Sequence, residues 1–385
     1  MTPVDPSSRA VPATAADEGP LRCTCLDDYE VLARQRLDPR AWAYLSGGGA
    51  DEHTLGWNRE AFQRLKLQSR VLADMSGAHT RLTLFEQPFD YPILLAPVAH
   101  QQLFHPEGEL ATARGAAAMR AGQIVSMQAS VAFEEIAAQS AIAPWCQVYP
   151  LRDETLMADL LARVERAGYR AIVVTADATV NGLRNREQRS GFTWPDHVRA
   201  VNLPGGGLPQ PDLPAPPRSP LFSGFLHEAP TWATLQRLVR ATRLPVLLKG
   251  VLSVDDAQRA VAEGVAGLIV SNHGGRVLDT VPASIDALPR IVEAVGPTVP
   301  VLLDGGVRRG TDVLKALALG ARAVSIGRPF VHGLCVGGAP GVAHVLALLR
   351  AELEVAMTLT GCSTLTRITR DALWADAAPV AAVRS

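Results

Sequence analysis

The stretch Val246-Leu247-Leu248-Lys249-Gly250-Val251, followed by Val254 to Ala262 and then by Gly267-Leu268-Ile269-Val270-Ser271-Asn272-His273, decides the architecture. An apolar run, a segment with apolar residues at three- and four-residue spacing, and a second apolar run make one strand-helix-strand unit. Strands that are apolar throughout are those buried on both faces of a parallel sheet. The unit recurs in both directions along the chain. Apolar runs also occupy Ile93 to Ala99, Ile124 to Met127, Trp145 to Tyr149, Ala171 to Asp177, Val301 to Gly306 and Ala323 to Pro329. Helical spacing fills Asp153 to Ala167, Ser284 to Ala294 and Thr311 to Leu319 as well. Eight strand-helix units over about 240 residues fit an α/β chain of the (β/α)8, or TIM-barrel, kind better than an open doubly wound sheet. No Gly-x-Gly-x-x-Gly follows the first run, so the dinucleotide fingerprint is missing.

A chain of 385 residues that is 48% hydrophobic and 19% charged can bury a large core. Its formal charge of −1 leaves no excess of either sign for a nucleic acid or an anionic membrane surface, so a small molecule is the expected partner. The five cysteines are odd in number and lack C-x2-C spacing, which points to a reducing, cytoplasmic setting. The Cys23-Thr24-Cys25 pair is the one arrangement that could bind a metal, and no metal is expected. No apolar run approaches the roughly 20 residues of a membrane span. Residues 1–25 are rich in Pro, Ala, Ser and Asp and read as a loose N-terminal arm. Residues 26–372 read as a single domain, in which 26–90, helical at Asp28 to Leu37, caps one barrel mouth. Residues 178–245 are a long insertion after the fourth run. Within it Leu203 to Gly224, crowded with Pro and Gly, is expected to be a lid without regular structure. Residues 373–385 are expected to form a tail.

Barrel enzymes carry their chemistry at the C-terminal ends of the strands, so polar residues ending these runs are the candidates. Gln147 and Tyr149 end the third run, Thr175 and Asp177 the fourth, Lys249 the fifth, His273 the sixth with Arg276 beyond, and Asp304 the seventh. A lysine directly after Val246-Leu247-Leu248 must lie near the barrel axis, where an unpaired ammonium costs several kcal/mol, so it needs an anionic partner. The last two runs close with Asp304-Gly305-Gly306-Val307-Arg308-Arg309-Gly310 and Ile326-Gly327-Arg328-Pro329. Glycines admit a phosphate to backbone N–H groups, and Arg308 and Arg328 supply charged forks. A phosphate here with Lys249 across from it fits FMN lying over the barrel top.

At this point the chain resembles the FMN-dependent 2-hydroxy acid oxidases and dehydrogenases over about residues 26 to 372. The most specific match is Ser271-Asn272-His273-Gly274-Gly275-Arg276, followed by Leu278-Asp279, Pro282-Ala283 and Ile285-Asp286-Ala287-Leu288. Others are Tyr44 near Ser46-Gly47-Gly48, Ala96-Pro97-Val98-Ala99, His105-Pro106-Glu107-Gly108-Glu109, and Asp304 to Arg309. The resemblance implies His273 as the base, Asp177 orienting its imidazole, and Arg276 with Arg184 as a clamp on the substrate carboxylate. Tyr44 and Tyr149 would donate hydrogen bonds to the substrate. Lys249 would stand by the flavin N1 and C2 carbonyl, and Val98, Ala99, Ser126, Gln147, Thr175, Ser271, Asp304, Gly306, Arg308, Gly327 and Arg328 would complete the FMN site. The activity implied is oxidation of an (S)-2-hydroxy acid to the 2-oxo acid. Ala99, small and beside the reactive edge of the flavin by resemblance, favours dioxygen as acceptor over another electron carrier. A homotetramer is the family expectation.

Two positions depart from the pattern. Gln128 stands where many relatives carry an aromatic residue, and Asn181 where an apolar one is common, without the proline usual after Asp177. Either these accept a polar or bulky side group on the substrate, such as that of an unusual biosynthetic hydroxy acid or amine, or they pair with each other. His100 either faces the pocket or is a satisfied histidine at its rim.

Overall fold

A computed structural model describes residues 22–208, 219–223, 226 and 229–375. Among these, β1 (Leu82–Leu84) and β2 (Gln87–Phe89) form an antiparallel pair. β3 (Ile93–Leu95), β4 (Gly122–Ser126), β5 (Trp145–Val148), β6 (Ile172–Thr175), β7 (Val246–Val251), β8 (Gly267–Val270), β9 (Val301–Asp304) and β10 (Ala323–Ile326) pair in parallel, and β10 returns to β3 to close a barrel. All eight apolar runs are therefore strands. The ladder stops earlier than the runs do, because Gly305 (φ 93°), Gly306 (φ 84°) and His273 (φ 57°) turn out of the extended region. Apolar character continues into the loops, whereas inter-strand hydrogen bonding does not.

Alternation along each strand sorts the core into two compartments. Leu94, Ile124, Trp145, Val173, Leu247, Ile269, Leu302 and Ala323 fill the barrel interior. Leu95, Val125, Cys146, Val174, Leu248, Val270, Leu303 and Val324 face outward into the layer shared with the helices.

The helices before the barrel are α1 (Leu26–Arg36), α2 (Pro39–Ser46) and α3 (His53–Arg64). Those after β3, β4 and β5 are α4 (Gly108–Met119), α5 (Phe133–Gln139) and α6 (Glu154–Arg166). The long connection after β6 holds α7 (Asn185–Ser190), the single turn α8 (Pro220–Ser223) and α9 (Trp232–Ala241). The rest are α10 (Val254–Ala262), α11 (Ser284–Val295), α12 (Gly310–Ala318) and α13 (Arg328–Leu359).

The segment 26–90 covers both mouths of the barrel, not one. Helices α2 and α3 meet the loops at the C-terminal ends of the strands, where Asn58 contacts Asn272. The β1–β2 hairpin plugs the opposite mouth: the rings of Phe85 and Phe89 lie 5.5 and 6.0 Å from that of Trp145. Two further expectations are revised. Cys23 is buried, and Leu373 bridges to Leu67, so neither the last residues of the arm nor the first of the tail are loose. The Pro/Gly-rich loop contains a 3-10 turn at Pro204–Gly206 besides α8. The remainder of the expected arm (1–21), tail (376–385) and lid (209–218, 224) lies outside the described residues.

Helix α13 is long and apolar enough by length and composition to cross a membrane, contrary to the reading of the runs. It breaks at Gly337 (φ −150°, ψ 20°) and Gly338 (φ 55°, ψ −138°), and it packs on α1, α4 and α12 as a core element. Its two halves approach through glycines, and a Cβ on Gly341 would lie 2.0 Å from the Gly333 carbonyl oxygen. Overpacking of this kind costs about 1–3 kcal/mol. Gly341→Ala is therefore expected to lower the melting temperature by roughly 1–4 °C in a thermal scan. Wild-type melting in the variant would mean that the two halves do not touch.

Candidate active site

A polar layer sits above the apolar interior of the barrel. Register places Ser126 beside Gln147, Thr175 beside Lys249 and Ser325 beside Asp304, and all six are buried. The Lys249 ammonium lies 3.0 Å from Asp304 Oδ2 and donates to Ser271 Oγ at 3.0 Å. Burial opposes its charge, but Asp304 and then Asp177 outweigh burial and hold its pKa above the ordinary lysine value. Asp304 is thus the anionic partner that the sequence demanded. Around this pair Gln147 Nε2, Asp304 Oδ1 and Ser325 Oγ are buried without a hydrogen-bond partner. Each such atom costs about 1–3 kcal/mol unless a ligand satisfies it.

After β8 the chain folds tightly over this layer. Ser271 Oγ, already bonded to Lys249, accepts the His273 N–H at 3.0 Å and fixes the left-handed turn at His273. Asn272 and Asn58 exchange side-chain hydrogen bonds of 2.9 and 2.8 Å, which tie that turn to α3. His273 Nδ1 then lies 2.9 Å from Asp177 Oδ1. Gly250 makes the approach possible, since a Cβ there would stand 2.5 Å from the Asp177 carboxyl carbon. Burial alone would raise the Asp177 pKa, but the His273 and Lys249 charges outweigh it and hold the carboxyl below its ordinary value.

A cavity of about 1200 Å³ opens over these groups, larger than the roughly 300–1,000 Å³ of a pocket for one small ligand. Every residue singled out from the sequence lines it except Asp177 and Ser271, which lie behind His273 and Lys249. Burial, and then Asp177, push the Tyr149 phenol up to about 12, so at neutral pH it is a proton-bearing donor. Arg276 stacks 5.1 Å from the Tyr44 ring centre, and its Nη1 donates to the carbonyls of Tyr44 and Gly47 at 2.7 and 3.0 Å. Its pKa is lowered first by burial and next by the charge of Arg184. Two cations thus stand close enough to repel, an arrangement that an anion relieves.

Arg184 is tied within its own loop, with Nη1 3.1 Å from Glu187 and Nη2 donating to Asn181 at 3.4 Å. Its Nε is buried without a partner. Asn181 therefore pairs with Arg184 and not with Gln128.

At the β9 and β10 ends, Gly305, Gly306 and Gly327 line the cavity beside Arg308, whose buried Nε has no partner. Burial, and then Arg59, push Arg308 down to about 10, which leaves it charged. This cradle fits a phosphate. Arg328, read from the sequence as a second phosphate fork, spends Nε, Nη1 and Nη2 on the carbonyls of Leu45, Gly274 and Gly47 at 3.0, 2.8 and 2.9 Å. With its unpartnered atoms and its glycine cradle, the donor set fits FMN.

Three contributors escaped the sequence reading. Asn58 braces the His273 turn from 214 residues away, and no local signal marks it. His332, buried against Trp42, is held well below its ordinary pKa by burial and by Arg308 and Arg328. Trp194 lies 4.5 Å from His100 and 5.0 Å from Tyr44, ring to ring. The aromatic cluster Phe192-Thr193-Trp194 inside a polar insertion was the available signal. The part of the insertion that precedes the expected lid is pinned: Ala50 N–H donates to Leu183 at 2.6 Å, Arg186 pairs with Glu52, and Asn202 donates to Val131 at 2.9 Å.

The family model described as FMN-dependent dehydrogenase matches residues 33–375. The chain is 47% identical over 350 residues to an L-lactate oxidase from Roseobacter sp. (strain GAI101), covering 90% of this chain and 94% of that one. It is 41% identical over 359 residues to glycolate oxidase 1 of Zea mays, covering 93% and 97%. Among solved structures, mandelate oxidase with (S)-2-phenylpropionate superposes with a TM-score of 0.83 at 40% identity, covering 91% of this chain and 98% of that one.

The lowered pKa of Asp177 has a thermodynamic sign. Ionisation favoured in the fold contributes stability above the ordinary aspartate range of about 4, and that contribution is lost as pH falls through the folded value. Between about pH 6 and pH 3, wild type is expected to lose more of its melting temperature than Asp177→Asn does. Equal losses would show that the fold does not hold this carboxyl ionised.

Proposed function

The chain belongs to the family of FMN-dependent 2-hydroxy acid oxidases, and from that premise we propose which of its residues carry the reaction and on which hand of the substrate. The protein is an FMN-dependent oxidoreductase that oxidises a 2-hydroxy acid to the 2-oxo acid, with dioxygen as acceptor and hydrogen peroxide as second product. The observation that carries the assignment of roles is the His273–Asp177 contact of 2.9 Å beside Arg276 and Tyr149 in one cavity.

The substrate is the (S) enantiomer, the L hand named for the lactate oxidases. Its carboxylate neutralises the mutual repulsion of Arg276 and Arg184, and Tyr44 and Tyr149 donate to its oxygens. His273 takes a proton from the substrate, and the ionised Asp177 stabilises the imidazolium that results. Lys249, Ser126, Gln147 and Thr175, with the backbone at Val98 and Ala99, would hold the flavin ring. Gly306, Arg308 and Gly327 would hold its phosphate end, with Arg328, tied to backbone carbonyls, adding positive charge beside it, and Asp304 and Ser271 keep Lys249 in place. FMN when bound supplies the two-electron acceptor.

The working form is a cytoplasmic homotetramer. Free cysteines throughout support the reducing compartment. Val71, Leu72, Leu359 and Trp374, exposed on adjoining segments joined by the Arg70–Leu359 and Lys66–Trp374 hydrogen bonds, support association. Light scattering on the eluting protein should give about four times the chain mass of 41.0 kDa. A monomer would overturn the assembly.

Anaerobic addition of L-lactate, glycolate or mandelate should bleach the flavin, and air should restore it with stoichiometric peroxide in a coupled peroxidase assay. His273→Ala should retain FMN yet bleach about 10²-fold more slowly or worse. Unchanged bleaching in that variant would remove His273 from the mechanism.

A further inference from the structure

His100, Gln128 and Trp194 form a stretch of cavity wall that the proposed proton transfer and carboxylate binding leave unused. His100 has a left-handed backbone (φ 55°, ψ 47°), which is strained for a side chain of this size. The strain is held from both sides. Its N–H donates to the Gln128 carbonyl at 3.1 Å, and Gln101 N–H, next in the chain, donates to the buried Glu109 carboxyl at 3.0 Å. Glu109 also accepts from Ser130, whose hydroxyl takes the Gln102 N–H. A buried carboxylate network thus presents one imidazole to the cavity at a cost in backbone strain.

Neither His100 ring nitrogen bonds to the protein among the described residues, and Nδ1 is buried without a partner. Burial lowers the imidazole pKa, so the ring is neutral at pH 7, with one donor and one acceptor nitrogen. The side-chain amide of Gln128 likewise makes no hydrogen bond among the described residues. Trp194 and Phe104, the aromatic neighbours in this wall, carry no charge.

Taking the clamp on the substrate carboxylate at Arg276 and Arg184 as read above, we propose that this wall receives the other end of the molecule and selects 2-hydroxy acids whose side group ends in a neutral hydrogen-bonding group. An alkyl end would leave the imidazole and the amide unpaired. A charged end would lose its water to neutral partners.

Three isosteric substrates separate these cases: 2-hydroxysuccinamate with an amide end, 2-hydroxy-4-methylpentanoate with two methyls, and malate with a carboxylate. For the FMN-loaded enzyme, kcat/KM is expected to favour the amide over the methyl isostere on the order of tenfold, with malate poorest. His100→Phe should bring the amide-to-methyl ratio towards one, mainly through KM, and Gln128→Leu should do the same if the first variant does not fold at its left-handed residue. A wild-type enzyme that turns over all three without favouring the amide overturns the proposal, as does an amide preference that survives in both variants. A flavin that neither these acids nor L-lactate bleaches overturns the underlying reading of the reaction, a result distinguishable from a mere lack of preference.

Discussion

Buried positive charge at the barrel mouth is the constraint around which the rest is arranged. Lys249 is buried, and Arg276, Arg308 and Arg328 are half-buried in the cavity wall. Only Lys249 has a carboxylate against it at 3.0 Å. The guanidiniums lean on backbone carbonyls, and Arg276 and Arg308 each depress the Arg328 pKa beyond what burial does. Carbonyl dipoles offset part of a desolvation cost of several kcal/mol per ion. A phosphate at one end and a carboxylate at the other offset the remainder. Cofactor binding, substrate binding and stability are then one electrostatic problem, and ligands that bind only the folded form stabilise it in proportion to their concentration over Kd.

The same cations join the N-terminal cap to the barrel. Arg276 and Arg328 converge on the carbonyls of Tyr44, Leu45 and Gly47, the negative end of the α2 dipole. From the same β8 loop Asp279 accepts the N–H groups of Asp51, His53 and Thr54 at the start of α3. Gly48 and Gly49 lie so close to this loop that a Cβ would stand 2.9 Å from the Gly275 carbonyl and 2.7 Å from that of Val277. The loop that aims His273 is thus also the socket of the cap. Tyr44, carried on α2, is positioned by the residue beside which it is expected to work.

How much of this was legible in the sequence follows from the range of the forces involved. The eight barrel strands could be read because burial on both faces imposes an apolar run at each strand, whatever lies elsewhere in the chain. Polar residues ending those runs could be read for the same reason, since Lys249 after three aliphatic residues has no solvated place to go. The β1–β2 hairpin escaped because three-residue strands show no period, and its role depends on Trp145, 60 residues on from Phe85. Asn58 escaped because an amide pair across 214 residues leaves no local trace. Arg328 was legible as a buried charge but not in its partners, because carbonyl acceptors belong to the backbone and have no letter in the sequence.

The two departures from the family pattern come apart in the same way. Asn181 and Gln128 looked equivalent as added polarity near the substrate. In the fold Asn181 accepts from Arg184, Glu187 takes the other terminal nitrogen, and Asn185 and Arg186 fasten the same segment to Ala50 and Glu52. That polarity is consumed in holding a cation ready, and Arg184 is left with an unpartnered Nε in the cavity wall. Gln128 has no such internal use, and its backbone carbonyl holds the strained His100. Of the two departures, Gln128 therefore leaves its side-chain amide unpaired beside His100, while Asn181 is taken up by Arg184. The unpaired polar groups of the side-group wall sit on the loops after β3 and β4 and the two clamp arginines on those after β6 and β8, but Trp194 carries the β6 connection into the side-group wall as well, so the two ends of the cavity share one loop.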